Sequence, residues 1–196
     1  MSRAVARRKH RAQNEVVERA RTLQAELRAA LDRLPSEDEA VVEAVWRGEA
    51  LGTLLWALQL VELPPYDTPF DADETCAIAL DEGRLRAEEE VELERRTARL
   101  WHWRARTADL QDAGALDLPE HFSTADQLVA ATAMRGYEQG LLPAPVRGDF
   151  GAYDTVYRHL TPEQRTEAHS IAVERHHALN WLCGDGSTWD DVPLDT

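Results

Sequence analysis

Apolar residues recur near the start of the chain at helical spacing: Val16, Ala20, Leu23, Leu27, Ala30 and Leu34 follow a 4-3-4-3-4 rhythm, with Glu and Arg on the other faces. This is the seam of a coiled coil or of an antiparallel hairpin, and it predicts a helix that needs a partner helix. Pro35 ends it, and Ser36 with Glu39 forms a capping box opening a second helix to about Leu60. A hinge that short predicts antiparallel packing. The second helix is apolar over much of its circumference (Val41, Val42, Val45, Trp46, Leu51, Leu54, Leu55, Trp56, Leu58 and Val61), as a central core helix would be. Gly48 and Gly52, one turn apart, invite the close approach of another element.

Leu63 to Asp71 holds three prolines and predicts an irregular connection. Cys76 to Leu80 is too short to assign. From about Arg86 to Gln111 a long helix opens with acids (Glu88, Glu89, Glu90, Glu92, Glu94) and turns to arginines (Arg95, Arg96, Arg99, Arg104, Arg106), an order that suits the helix dipole. Ser123 with Asp126 starts a shorter helix that Gly140 stops. Phe150 to Leu160 reads equally as a short helix or an extended piece. Thr161-Pro162-Glu163-Gln164 is a strong helix start, and that helix runs to about Cys183 before Gly184. The tail to Thr196 is expected to pack back through Trp189. The expected fold class is all-α: a compact, bundle-like helical domain over residues 36–196 behind a basic helical arm, residues 1–35.

Charge sharpens this division. Residues 1–35 hold 9 of the 22 Lys and Arg and 4 of the 36 Asp and Glu; residues 36–196 hold 13 and 32. The arm therefore carries +5 and the body -19, so the body repels nucleic-acid phosphates and favours a cationic partner. Only one cationic residue is lysine, a usage expected of a GC-rich bacterial genome. The densest apolar run, Leu51 to Val61, falls well short of the roughly 20 residues that cross a bilayer. No apolar leader follows the N-terminal arginines, and Cys76 and Cys183 form no framework, so a cytoplasmic location with both thiols reduced is expected.

Two clusters carry able side chains. On the last helix, Glu174, Arg175, His176, His177, Asn180 and Trp181 lie close together. Glu174 and His177 have the Glu-x-x-His spacing of di-iron bundles, but a second such motif is missing. His169, His176 and Cys183 are seven apart, about 10 Å along a helix, too far to share an ion or act as a nucleophile pair. The sequence thus predicts no metal, no cofactor and no catalytic residue. The second cluster is Trp101, His102, Trp103, Arg104 and Arg106, where guanidinium-over-indole pairs are available. If it faced Glu174 and Arg175 across a cleft, the tryptophans would wall a pocket for an anionic or aromatic ligand.

The ending Glu174-Arg175-His176-His177-Ala178-Leu179-Asn180-Trp181-Leu182, then Trp189-Asp190-Asp191 and Asp195-Thr196, resembles the close of a bacterial family known as domain of unknown function 4272. Leu100 to Arg104 and Ala44 to Leu60 are similar to it more loosely. The resemblance implies a mostly helical fold, carries no assigned activity, and directs attention to Arg175, Asn180, Trp181, Trp189 and Asp190. Asn180 and Asp190 are expected to pin the tail by hydrogen bonds. Together these features predict a non-catalytic partner-binding or regulatory protein, meeting a protein partner or a second copy through the N-terminal helix. The alternative is a small-molecule or anion binder, or an enzyme, with its pocket between the Trp101–Arg106 and Glu174–Trp181 helices.

Overall fold

The computed structural model describes residues 9–35 and 38–196, and among these the chain forms six α-helices and one two-stranded hairpin. The helices are α1 (Gln13–Leu31), α2 (Glu39–Ala57), α3 (Ala72–Ala77), α4 (Glu88–Asp112), α5 (Ala125–Glu138) and α6 (Pro162–Leu182). The fold is all-α in class, as the apolar periodicity predicts.

Five of the six seam residues of α1 are buried, Val16, Ala20, Leu23, Leu27 and Ala30, and they pack within the chain against α2 and α3. Leu34 is the exception, 46% exposed: the helix has already ended, and the residue before a proline is driven out of the helical region. Arg33 pairs with Asp38 at the hinge while Glu26 meets Arg47 further along, so α1 and α2 run antiparallel. The hinge at residue 35 therefore joins two helices that share one core. Burying a leucine as fully as Leu23 or Leu27 contributes about 1.5–3 kcal/mol.

Ser36 lies outside the described residues; α2 is capped by Asp38, whose carboxylate accepts from the Ala40 N–H at 3.1 Å. Every residue from Gly48 to Leu58 is buried, Glu49 included. The helix stops at Ala57 rather than Leu60 because Gln59 adopts φ +61 and turns the Leu60 N–H back onto the Leu55 carbonyl at 2.9 Å. Gly48 lets Leu27 approach, and Gly52 lies flat against the Phe70 ring.

In α5 the cap sits one residue later than expected: the Thr124 hydroxyl accepts from the Gln127 N–H, and the Gln127 side chain accepts in return from the Ser123 N–H. The ambiguous stretch 150–160 is extended. β1 (Gly151–Ala152) pairs antiparallel with β2 (Thr155–Val156) through a turn whose residues Tyr153 and Asp154 both take positive φ, and one 3-10 turn, Tyr157–His159, leads to α6. The Thr161–Gln164 capping box opens α6 as its sequence predicts.

Helices α4 and α6 make the most extensive interface. Asp112 pairs with Arg165, Asp109 with His169 at 3.1 Å, His102 with His176, and Arg95 with Asp185 just beyond α6. The reversed order fixes an antiparallel pair, and it brings both chemically able clusters into one contact zone.

Candidate functional site

The contact zone is closed at its centre by direct side-chain contact. His102 and His176 are buried and meet Nδ1 to Nδ1 at 3.0 Å, one ring donating and the other accepting. Burial pushes His102 down to about 4 and His176 down to about 3, so both rings are neutral. Trp101 stacks on Tyr66 at 5.3 Å and meets Phe150 edge-on, and with Tyr66, Glu94 and Thr97 it borders a 330 Å³ cleft beside the 63–67 segment, which Glu174 of α6 does not line.

Two of the three candidate arginines, Arg104 and Arg175, are held in separate buried locks. Arg104 grips Asp149 in bidentate fashion, Nε to Oδ1 at 2.7 Å and Nη2 to Oδ2 at 2.9 Å, and lies over the Tyr157 ring. Burial alone would raise the Asp149 carboxyl, but the Arg104 hydrogen bonds and charge, with the Phe150 and Arg158 N–H groups, hold it below the usual range. Arg175 is fully buried and donates to Glu49 at 2.9 Å and to the carbonyls of Pro64, Pro65 and Thr68 at 2.6, 3.2 and 2.9 Å. The rings of Tyr66 and Phe70 lie against its guanidinium. Both guanidinium groups are buried and ion-paired, and only Nη1 of Arg104 is left without a hydrogen-bond partner.

The remaining candidates scatter. Arg106 is exposed, away from the buried locks. Glu174 is half-buried and lines a separate cleft of 370 Å³ with Glu43, Trp46, Arg165 and His169, where burial lifts its carboxyl to about 7. His177 meets Trp189 edge-on at 4.6 Å, and Trp181 meets the same indole at 5.4 Å. Trp189 does pack back, with the Arg19 guanidinium 4.3 Å from its ring centroid. Asn180 pins the tail as expected, donating to the Pro193 carbonyl at 2.8 Å, whereas Asp190 is exposed and forms no hydrogen bond among the described residues.

Open concave space lies one to two turns nearer the start of α4 than the expected pocket. A 230 Å³ cleft between α4 and α6 is lined by Arg95, Arg96 and Arg99 above His176, with Asp195 at its edge. A second, of 310 Å³ between α4 and α5, shares Arg96 and Arg99, adds Arg135, and has an apolar wall of Leu100, Trp103 and Leu128; Thr196 borders it. Arg95 is held by Glu92 and Asp185, and Arg96 by Gln139. The Arg99 and Arg135 side chains are exposed and make no hydrogen bond or ion pair with another described residue. Sequence reasoning assigned the arginines of α4 to the helix dipole. The signal available was their 95-96-99 spacing, which places them on neighbouring faces; the contribution of Arg135 was not visible before the two helices were packed.

The fold and these clefts define a helical bundle with an arginine-lined face. Comparison of the chain with family models, with curated proteins and with solved structures found no match. The resemblance of the C-terminal motif to domain of unknown function 4272 thus rests on the quoted residues alone.

Proposed function

We propose that this protein acts by binding rather than catalysis, and that it takes a compact anionic ligand, bearing a carboxylate or phosphate, at the arginine-lined clefts of α4. The observation that carries this is the uncovered pair Arg99 and Arg135 flanking an apolar wall in a chain of net charge -14. Arg84, Arg106 and Arg147 also lack a carboxylate partner among the described residues; what sets Arg99 and Arg135 apart is that they share one cleft with an apolar wall, where a ligand's charge and its apolar part could be met together. The enzyme reading placed its pocket between Trp101–Arg106 and Glu174–Trp181, where neutral histidines are in direct contact and both arginines are locked.

A partner-binding or regulatory role is the second reading. Leu93 on α4, with Met134 and Tyr137 on α5, is exposed apolar area that a protein carrying the anionic group would cover. The α1 seam is already filled by α2, so self-association through it would have to use the polar face of α1. In this proposal the protein works in the cytoplasm of a bacterium, where both thiols stay reduced.

Isothermal titration with inorganic phosphate, citrate and a nucleoside triphosphate tests the reading, using the wild type and Arg99→Ala/Arg135→Ala. Saturable binding that weakens at least tenfold in the double variant and with rising salt is expected. Equal affinity in both proteins, or no binding of any of the three, overturns the small-ligand reading.

A further inference from the structure

The N-terminal segment just before α1 is strapped to the end of α6. The Arg11 N–H donates to the Leu182 carbonyl at 2.9 Å, and the Arg11 side chain donates to the carbonyls of Trp181 and Gly186 at 3.1 and 2.7 Å while lying over the Trp181 ring. Gly184, at φ +84, faces the Lys9 backbone so closely that an added Cβ would sit 2.4 Å from the Lys9 carbonyl oxygen. The strap delivers His10 to a position beside Glu92 of α4 and Cys183, the residue that caps α6.

One ligand atom from each of these three side chains lies within 4.8 Å of the other two. The His10 ring is oriented for it: Nδ1 faces the Glu88 carboxylate at 3.4 Å, which leaves Nε2 as the lone-pair nitrogen, and that Nε2 is buried without a hydrogen-bond partner. A carboxylate behind a histidine is the usual outer support of a metal-bound imidazole. An imidazole, a carboxylate and a thiol from three chain segments form a mixed donor set that suits a borderline divalent ion.

We propose that His10 Nε2, Glu92 and Cys183 Sγ bind a single zinc-type divalent ion, with water in the fourth position. Zinc–ligand bonds of about 2.0–2.3 Å place tetrahedral ligand atoms roughly 3.3–3.8 Å apart, so the three side chains close in by about 1 Å. On binding, the Cys183 thiol loses its proton to solvent as the metal–sulfur bond forms. The thiolate, Glu88 and Glu92 then bring a charge of -3, which the ion offsets together with Arg95, itself shared between Glu92 and Asp185. The ion joins residue 10 to residues 92 and 183, so it also clips the strap that α1 follows. This site is separate from the arginine clefts and does not depend on the anion-binding proposal.

The test uses the full chain, stripped with a chelator and titrated with Zn²⁺ and, as a spectroscopic probe, Co²⁺. One equivalent of Zn²⁺ should bind and raise the melting temperature, and Co²⁺ should show a thiolate-to-metal charge-transfer band. That band should vanish in Cys183→Ser, and Zn²⁺ affinity should fall at least tenfold in His10→Ala, a partly exposed position before α1 that keeps the fold intact if the serine variant does not. No Zn²⁺ binding, a Co²⁺ complex without thiolate character, or unchanged Zn²⁺ affinity in His10→Ala would overturn the proposal.

Discussion

His102 on α4 and His176 on α6 share a hydrogen bond of 3.0 Å between their Nδ1 atoms inside the most extensive helix interface of the molecule. Only one proton fits between two such nitrogens, so the contact exists only while at least one ring is neutral.

That constraint makes the interface acid-sensitive. In the unfolded chain both histidines titrate near 6.5, whereas in the fold burial, then His169 and Arg106 around His102 and the charges of Arg99, Arg95 and His177 around His176, hold them at about 4 and about 3. Below about 6.5 the unfolded chain therefore binds protons that the folded chain refuses, and stability falls as the pH drops towards 4. Urea unfolding at pH 7, 6, 5 and 4.5 should show this decline, and His102→Leu/His176→Met should flatten it. The same slope in the double variant would contradict the assignment.

Glu174 has the opposite sign. Burial raises its carboxyl to about 7, helped by Glu49 and Glu43 against Arg47, so its folded form favours the proton. The stability linked to it is present below its unfolded value near 4.3 and is lost as the pH rises through 7. Glu174→Gln, which fixes the protonated shape, should raise the melting temperature at pH 8 and leave it unchanged at pH 4. A variant equally stable to wild type at pH 8 would refute this.

Gly52 is a packing requirement rather than a flexible point. A Cβ there would lie 2.3–2.5 Å from Cγ, Cδ2 and Cε2 of Phe70, and a ring cannot swing its own Cγ away. Gly52→Ala should gain up to about 1 kcal/mol of helix propensity and lose more to overpacking, which costs about 1–3 kcal/mol. A lowered melting temperature that Phe70→Ala partly restores is the expected result.

Arg175→Met should destabilise the fold by about 3–5 kcal/mol, because it strands the Glu49 carboxylate and three carbonyls. Arg175→Lys should also fail to restore wild-type stability, since one ammonium nitrogen with three N–H groups cannot serve the four acceptors that the guanidinium meets through three nitrogens. Chemical denaturation of both variants measures this.

The helices were legible because their information is local: the α1 seam, the Thr161 capping box and the acid-to-base gradient of α4 are each written within one element. The helix-capping Gln59 and the Tyr153–Asp154 turn were not, since neither has the glycine that usually announces positive φ. The two candidate clusters do lie on helices that pack together, α4 and α6, but the partners of their arginines were not legible. Arg104 and Arg175 are locked by Asp149 and Glu49, residues 45 and 126 positions away, and no spacing rule reaches that far. The strap at Arg11 was hidden for the same reason.

The collar around Arg175 implies an uneven tolerance to change. Three of its four acceptors are backbone oxygens of the 64–68 segment, which every amino acid supplies, and Pro64 and Pro65 offer no N–H to compete. The side chain at 68 is therefore free to drift, while the residue that holds the segment's path sits more than a hundred positions later on α6. The loop's shape is inherited through a helix it does not belong to.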